Sequence, residues 1–562
     1  MITTSQDLAE RPADSAVPAA VPTAALLTGA LLSACGGGGG AAPGAAAPPV
    51  VRESVTPEHA ARFLAQASMG ATREQIAMVQ SLGYAGWLDE QFALPASRSR
   101  WDWLMAGGYA APANAFTDAG ADACQWRKLL SSHDTLRQRV TLALSEIVVA
   151  ALPGFAGNGW GPFAGAAFMD LLEVNAFGNY RKLLQQISLS APMGEYLTYI
   201  DNVKADPAAG TIPDENYARE LLQLYTIGVV ELNLDGTLKL RTGLARETYT
   251  QDDIMGLARV FTGWTYDWAA GGIEVPGFKR MPLIQNAAQH ESGSKTFLGT
   301  TIAAGTDGVA SLSQALDAIF AHRNVAPFIS SQLIQRLVTS NPSAAYVARV
   351  AAVFNNDGSG TKGNLTAVIR AILLDDEARN SANLRAPGFG KLREPILRLA
   401  AWARAFKVVS PGDTWGIGNT SDPATRLGQS PLRAPSVFNF FRPDHVPANT
   451  AIARAGLVAP EFQITNESTV VGYVNFMQSV IGSGIGDLVP DYSTLLPLAD
   501  TARSLVDEIN LVLAAGQLSA TTVALIAGCL DAMAAGDDAA RLSRVRTALV
   551  LVTATPEFIV QK

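Results

Sequence analysis

From Pro57 onward, apolar residues recur mostly at helical spacing. The stretch "TPEHAARFLAQASMG" offers Thr56 as N-cap, Pro57 at the first helical position and Gly70 as a stop. "TREQIAMVQSLG" repeats the scheme with Thr72, apolar Ile76 and Val79, and Gly83 as the stop. "TLRQRVTLALSEIVVAAL", "FMDLLEVNAFGNYRKLLQQISL" and "LSQALDAIFAH" predict further amphipathic or nearly buried helices. "YVARVAAVFNNDGSGTKGNLTAVIRAIL" predicts helix, turn, helix, and the tail 491–562 returns to helix with "SLVDEINLVLAAG" and "ARLSRVRTALVLVTATPEF". Strand signals are few: "KTFLGTTI" is the clearest, and "GTLKLRTG" reads as a hairpin. They fall in 232–300, a Gly-, Pro- and Trp-bearing stretch that reads as a long insertion. No period of 20–50 residues repeats, which excludes a solenoid reading. The expectation is a mainly α fold: one large multi-helix body over 57–562, with a few short strands or hairpins in the insertion.

Composition supports a packed body, with 48% apolar and 16% charged residues in 562. The net charge of −8, without a Lys/Arg cluster, argues against nucleic acid as a partner. Cys35, Cys124 and Cys529 form no C-x-x-C pair, so a cysteine zinc site is not indicated. Cys124 and Cys529 are either a disulfide or two free thiols.

The N-terminal segment reads as an address. "AVPTAALLTGALLSAC" (20–35) is short and interrupted for a membrane span, and it ends in small residues before Cys35 and "GGGGG". It resembles the lipobox of bacterial lipoproteins, in which that cysteine is lipid-modified. On this reading 1–34 are a signal peptide, Cys35 is the lipidation site that attaches the protein to a membrane, and 35–56 form a Gly/Ala/Pro tether. The protein would be exported and lipid-anchored, in the periplasm or at the outer membrane and cell surface. Asp7, Glu10 and Asp14 against Arg11 depart from the positive start of such signals. The rival reading is a low-complexity leader without function.

Four stretches carry candidate chemistry. In "PDENYARELLQLYTIGV" (213–229), Tyr217, Ala218, Leu221, Leu222, Leu224 and Tyr225 share one side of a helix, and Glu215, Asn216, Arg219, Glu220 and Gln223 the other. A solvated face with a Glu215–Arg219 pair accounts for those residues as well as a reaction site does. In "YTQDDIMGLARVFTGW" (249–264), Thr250 and Asp253 form a capping-box pattern. Asp252, Gly256 and Arg259 lie opposite the apolar stripe, and a glycine there points to a close approach by another element. "HESGSKTFLG" (290–299) offers His290, Glu291 and Lys295; "APSVFNFFRPDHVP" (434–447) offers Arg442, Asp444 and His445. "FNNDGSGTKGNL" fails as a calcium loop because its twelfth position, Thr366, is not a carboxylate. No nucleophile-elbow, zincin, Walker or dinucleotide motif is present, and neither a metal ligand set nor a cofactor is legible.

The first three stretches resemble the bacterial family catalogued as domain of unknown function 1800 (DUF1800). "RFLAQASMGATREQI", "LRQRVTLALSEIVV", "NAFGNYRKLL", "LIQRLVTSNPSAAYVARVAAVF", "LREPILRLAAWARAF" and "SVFNFFRPDHVP" follow in the same order. Many relatives carry a W-H-N-H element where this chain has "ALSEIV" (143–148), so a metal role for that element does not carry over. The resemblance implies an exported, mostly helical protein, and as partner an exported sulfatase-like protein of the DUF1501 type.

Two functions fit these features. One is a surface-tethered envelope protein that binds a partner during export or assembly. Glu215 or Glu220 would then pair with Arg259, and Asn216, Arg219, Trp264, Lys295 and Arg442 would complete a polar cluster. The alternative is a hydrolase of an envelope or extracellular polymer, metal-assisted or metal-free. Glu215, Glu220, Asp252 and His290 would then line one cleft as acid, base and their supports.

Overall fold

Thr56 Oγ1 accepts the His59 N–H at 3.2 Å, which starts α1 (Pro57–Ala67) with proline in the first turn. The computed structural model to which this contact belongs describes residues 55–155 and 157–562. The segment 1–34 expected to be a signal peptide, the expected lipidation site Cys35 and all but the end of the expected tether 35–56 lie outside the described residues.

Thr72 caps α2 (Arg73–Ala93) in the same way. Gly83, expected to end this helix, only kinks it with φ 71°. The chain resumes helix there because Trp87 and Leu88 are fully buried one turn further on. α3 (Arg100–Ala106), α4 (Ala121–Ser131), α5 (Thr135–Ser145) and α6 (Gly161–Asn175) pack on one another, followed by α7 (Tyr180–Ser188) and α8 (Ala191–Tyr196). α9 (Asn216–Gln223) and α10 (Gln251–Ala258) carry the first two charged stretches and lie against each other.

Three antiparallel hairpins interrupt the helices: β1 (Leu240–Arg241) with β2 (Leu244–Ala245), β3 (Trp264–Thr265) with β4 (Ile284–Gln285), and β5 (Lys295–Phe297) with β6 (Thr300–Ile302). "GTLKLRTG" supplies β1 and the turn at Thr242 and Gly243, both at positive φ as a two-residue turn requires, while the second strand lies just past the expected stretch. "KTFLGTTI" turns back on itself at Leu298 and Gly299. α11 (Gly308–Ala321), α12 (Val325–Leu337), α13 (Ala344–Asn355) and α14 (Leu365–Leu374) follow, then the single turn α15 (Asp376–Arg379).

A fourth pair, β7 (Lys391–Leu392) with β8 (Val560–Gln561), lies outside the insertion and joins residues far apart in sequence. α16 (Pro395–Ala405) is buried along nearly its whole surface. Gly70 lets it close in, because a Cβ there would stand 2.7 Å from the Ala401 Cα. α17 (Ala451–Arg454) and α18 (Glu467–Ser483) precede the tail helices α19 (Ala502–Ala514), α20 (Ala520–Asp531), α21 (Asp538–Thr553) and α22 (Pro556–Ile559). One continuous apolar core runs from α1 through α22. Cys124 is buried and Cys529 exposed, both as free thiols. Among the described residues no helix is long and apolar enough to cross a membrane.

Candidate functional site

Glu215 stands at the N-cap of α9, and one of its oxygens pairs with Arg219, a turn along the same helix. Its other oxygen accepts from Gln251 Nε2 at 2.7 Å, and Arg219 reaches Gln251 Oε1 at 3.2 Å. These contacts stitch α9 to α10 along a half-exposed edge. The Asn216 amide is held by Asp214 Oδ1 at 2.8 Å, and Thr198 donates to the other Asp214 oxygen at 2.7 Å. Glu220 turns the other way and is buried. Burial pushes its carboxyl up, with Arg219 pulling the other way, and its Oε2 has no hydrogen-bond partner. Tyr196, Tyr225 and Tyr249 lie within range of its charge.

α10 is fixed by a full capping box between Thr250 and Asp253. Asp253 Oδ1 also takes the Leu298 amide, which docks the β5–β6 turn onto the helix. Gly256 faces that hairpin, where a Cβ would lie 1.8 Å from the Thr296 carbonyl oxygen. The expected close approach is therefore at β5. Asp252 is exposed on α10; Arg259 is exposed and donates to the Ser294 carbonyl at 3.2 Å. His290 is buried, with Nδ1 2.9 Å from the Thr262 carbonyl and Nε2 without a partner. Burial holds it below the usual imidazole range. Lys295 is fully buried and donates to the Gly293 carbonyl at 3.4 Å; burial lowers its pKa, with Glu291 raising it.

The structure thus sorts the expected residues into separate neighbourhoods. Glu215, Asn216 and Arg219 gather at the α9–α10 edge. Arg259, His290 and Lys295 gather around Thr262 and Ser294. Glu220 sits among tyrosines, and Trp264 is buried with Nε1 donating to the Val260 carbonyl. Arg442 lies in the 434–447 loop, its guanidinium 4.7 Å above the Phe438 ring. The ion pairs of the described residues do not include one between Arg259 and either Glu215 or Glu220; Glu215 takes Arg219 and Arg259 takes a backbone carbonyl.

A pocket of about 470 Å³ opens elsewhere, between α3, α6, the α7–α8 junction and residues 279–282. Trp101, Leu171, Val174, Leu189, Met281 and Pro282 supply apolar wall. Its buried charges already have internal partners. Asp170 accepts the Arg100 and Trp101 amides at 3.1 and 3.0 Å, which caps α3 from α6, and it also pairs with Arg100. Lys279 pairs with buried Glu195 and donates to the Gly157 carbonyl at 2.8 Å. Arg280 remains at the rim, 4.8 Å over the Trp101 ring.

Sequence reasoning missed a second feature, a charged cluster buried in the core. Arg139, Glu146, Arg336, Lys391, Glu394 and Glu461 are all below a tenth exposed. Lys391 lies 3.0 Å from Glu461 and 3.6 Å from Glu394, and Arg336 3.5 Å from Glu146. Glu146 and Glu394 lie within range of each other's charge, and neither Glu146 oxygen has a hydrogen-bond partner. Burial and the Glu394 charge drive Glu146 well above the carboxylate range. Burial pushes Glu394 up as well, but Lys391, Glu146, Arg139 and Gln429 bring it down to about 2. The surroundings thus move the two carboxyls in opposite directions. The one local signal was Glu146 itself, within "ALSEIV", where the expected W-H-N-H element is replaced.

These features define a mainly helical body whose charged signature segments serve as struts and which carries a preformed pocket elsewhere. The chain belongs to the DUF1800 family: the family model described as "Protein of unknown function (DUF1800)" matches residues 62–560. No curated protein and no solved structure matches it.

Proposed function

We propose that this protein is a tethered envelope protein that works by binding, and that the pocket beside Trp101 receives an apolar segment of an exported, sulfatase-like partner. One observation carries the reading. The pocket walls are apolar, whereas Asp170 and Lys279 at its floor are already engaged by internal partners. Those groups hold the walls in place and leave little free acid–base capacity. Val174, 70% exposed on α6, and the Arg280–Trp101 stack would flank the incoming segment. The lipobox-like Cys35 and the tether support a position at a membrane facing such a partner.

The test is binding between purified full-length protein and the purified sulfatase-like protein. Val174→Asp should weaken it at least about tenfold, the loss of one well-packed apolar contact, while Leu525→Asp, at an exposed site on α20, should leave it unchanged. Absence of binding, or equal binding by the Val174 variant, overturns the proposal.

A second reading keeps hydrolysis at the signature helices, and Glu220 favours it: a buried carboxyl with a raised pKa and an unpartnered oxygen suits a general acid. Activity against envelope polysaccharides that vanishes in Glu220→Gln, with partner binding intact, would support this reading.

A further inference from the structure

The segment 229–248 is an exposed apolar arm. Leu238, Leu240 and Leu244 are 51%, 57% and 73% exposed, with Val229 and Leu234 also open to solvent. In the β1–β2 register Leu240 stands opposite Ala245, and Arg241 opposite Leu244. Side chains alternate along a strand, so Leu238 and Leu240 share one face and Leu244 projects from the other with Arg241. Every residue from 240 to 247 is exposed, so both faces of the hairpin are open.

The tip, 239–246, carries Lys239, Arg241 and Arg246 and no acid, while Glu231, Asp235 and Glu247 lie toward the base, in a chain whose net charge is −8. Lys239, Arg246 and Arg323 converge on the single carboxylate of Glu231, with Lys239 at 3.9 Å and Arg246 at 3.1 Å. Arg241 forms no ion pair among the described residues and stands free at the tip. The base of the arm is fixed: the Glu231 amide donates to the Arg246 carbonyl at 2.7 Å, the Lys239 amide to the Glu231 carbonyl at 2.8 Å, and Gly236 rests on Val347 of α13.

We infer that this hairpin is a membrane-contacting element that dips into the interface of an anionic lipid surface. A protein partner laid against a two-stranded arm covers one face and leaves the leucines on the other in water. The acyl–headgroup boundary surrounds the tip and covers both, while Lys239, Arg241 and Arg246 meet lipid phosphates. The backbone at the Thr242–Gly243 turn stays at headgroup depth, where water still satisfies it. The contact is separate from the Cys35 anchor and from the pocket, so it stands whether or not the partner proposal holds.

Flotation of the full chain carrying Cys35→Ser, which removes any lipid anchor, tests this. The probes are vesicles of phosphatidylcholine alone and of phosphatidylcholine mixed with phosphatidylglycerol. The protein should float with the mixed vesicles, less so in high salt. Leu240→Asp combined with Leu244→Asp should reduce binding at least about tenfold, with an unchanged far-ultraviolet spectrum because both sites are exposed. Arg241→Glu should reduce binding to the anionic vesicles alone. Failure to float with either vesicle, or flotation unaffected by the leucine changes, overturns the inference. Sedimentation without lipid covers the other occupant: a dimer that the leucine changes dissolve would assign the arm to self-association instead.

Discussion

Glu146 and Glu394, from segments about 250 residues apart, meet in one buried charged cluster in the middle of the core. Arg139, Arg336 and Lys391 lie beside them; burial raises Glu146, whereas Lys391 and Arg139 lower Glu394, so a neutral side chain suits the Glu146 position and a charged one the Glu394 position. Glu146→Gln should therefore be tolerated, because burial disfavours the charge that the amide removes. Glu394→Gln should cost about 3–5 kcal/mol, the usual result of stranding a buried charge such as Lys391. Urea denaturation of the two variants at pH 7 checks the contrast.

The same pair fixes a pH dependence. Glu146 has a raised folded pKa, so its stabilisation is complete below the unfolded value near 4.5 and declines as pH rises through the folded value. Glu394, lowered to about 2, contributes above 4.5 and loses its contribution as pH falls toward 2. Glu146→Gln should gain on the wild type as pH rises from 5 to 9. A stability difference that stays constant over that range would show that Glu146 is ionised in the fold.

Gly256→Ala should destabilise the protein by about 1–3 kcal/mol, through overpacking against the Thr296 carbonyl. An exposed helical glycine would instead gain up to ~1 kcal/mol from the same change. Chemical denaturation distinguishes the two by sign.

Asp253→Ala removes both the capping box and the bond to the Leu298 amide. The expected loss is about 1–2 kcal/mol, with faster hydrogen exchange at the β5–β6 turn. Glu215→Ala, by contrast, breaks a half-exposed ion pair and should cost under about 1 kcal/mol.

Lys279→Met alone leaves Glu195 buried without its cation and should cost about 3–5 kcal/mol. Adding Glu195→Leu should recover much of that. A double-mutant cycle measured by thermal unfolding gives the coupling, and full additivity would show that the pair holds nothing together.

What was legible in the chain follows from how locally each feature is determined. Gly256 signalled a close approach without naming Thr296 as its partner, whereas the cap at Thr56 and the box at Thr250 and Asp253 are each set within a few residues. Gly83 carried the same kind of signal, yet burial of Trp87 and Leu88 reduced a stop to a kink. The Glu146–Glu394 cluster draws residues from the ends of α5 and α12, from 391–394 and from 461, and no spacing rule connects them. The pocket likewise exists only once residues 279–282 close over α3 and α6. Asp252 and Glu220 look equivalent on a helical wheel; neighbouring elements leave the first in water and enclose the second.

β7 and β8 have a bearing on biosynthesis. Residues 560 and 561 lie beside 392 and 391, and the Gln561 side chain donates to the Leu337 carbonyl at 2.8 Å inside the body. A chain made N-terminus first leaves that groove open until residues 560 and 561 have emerged. That groove therefore closes late, only when residues 560 and 561 reach the strand and helix made long before them.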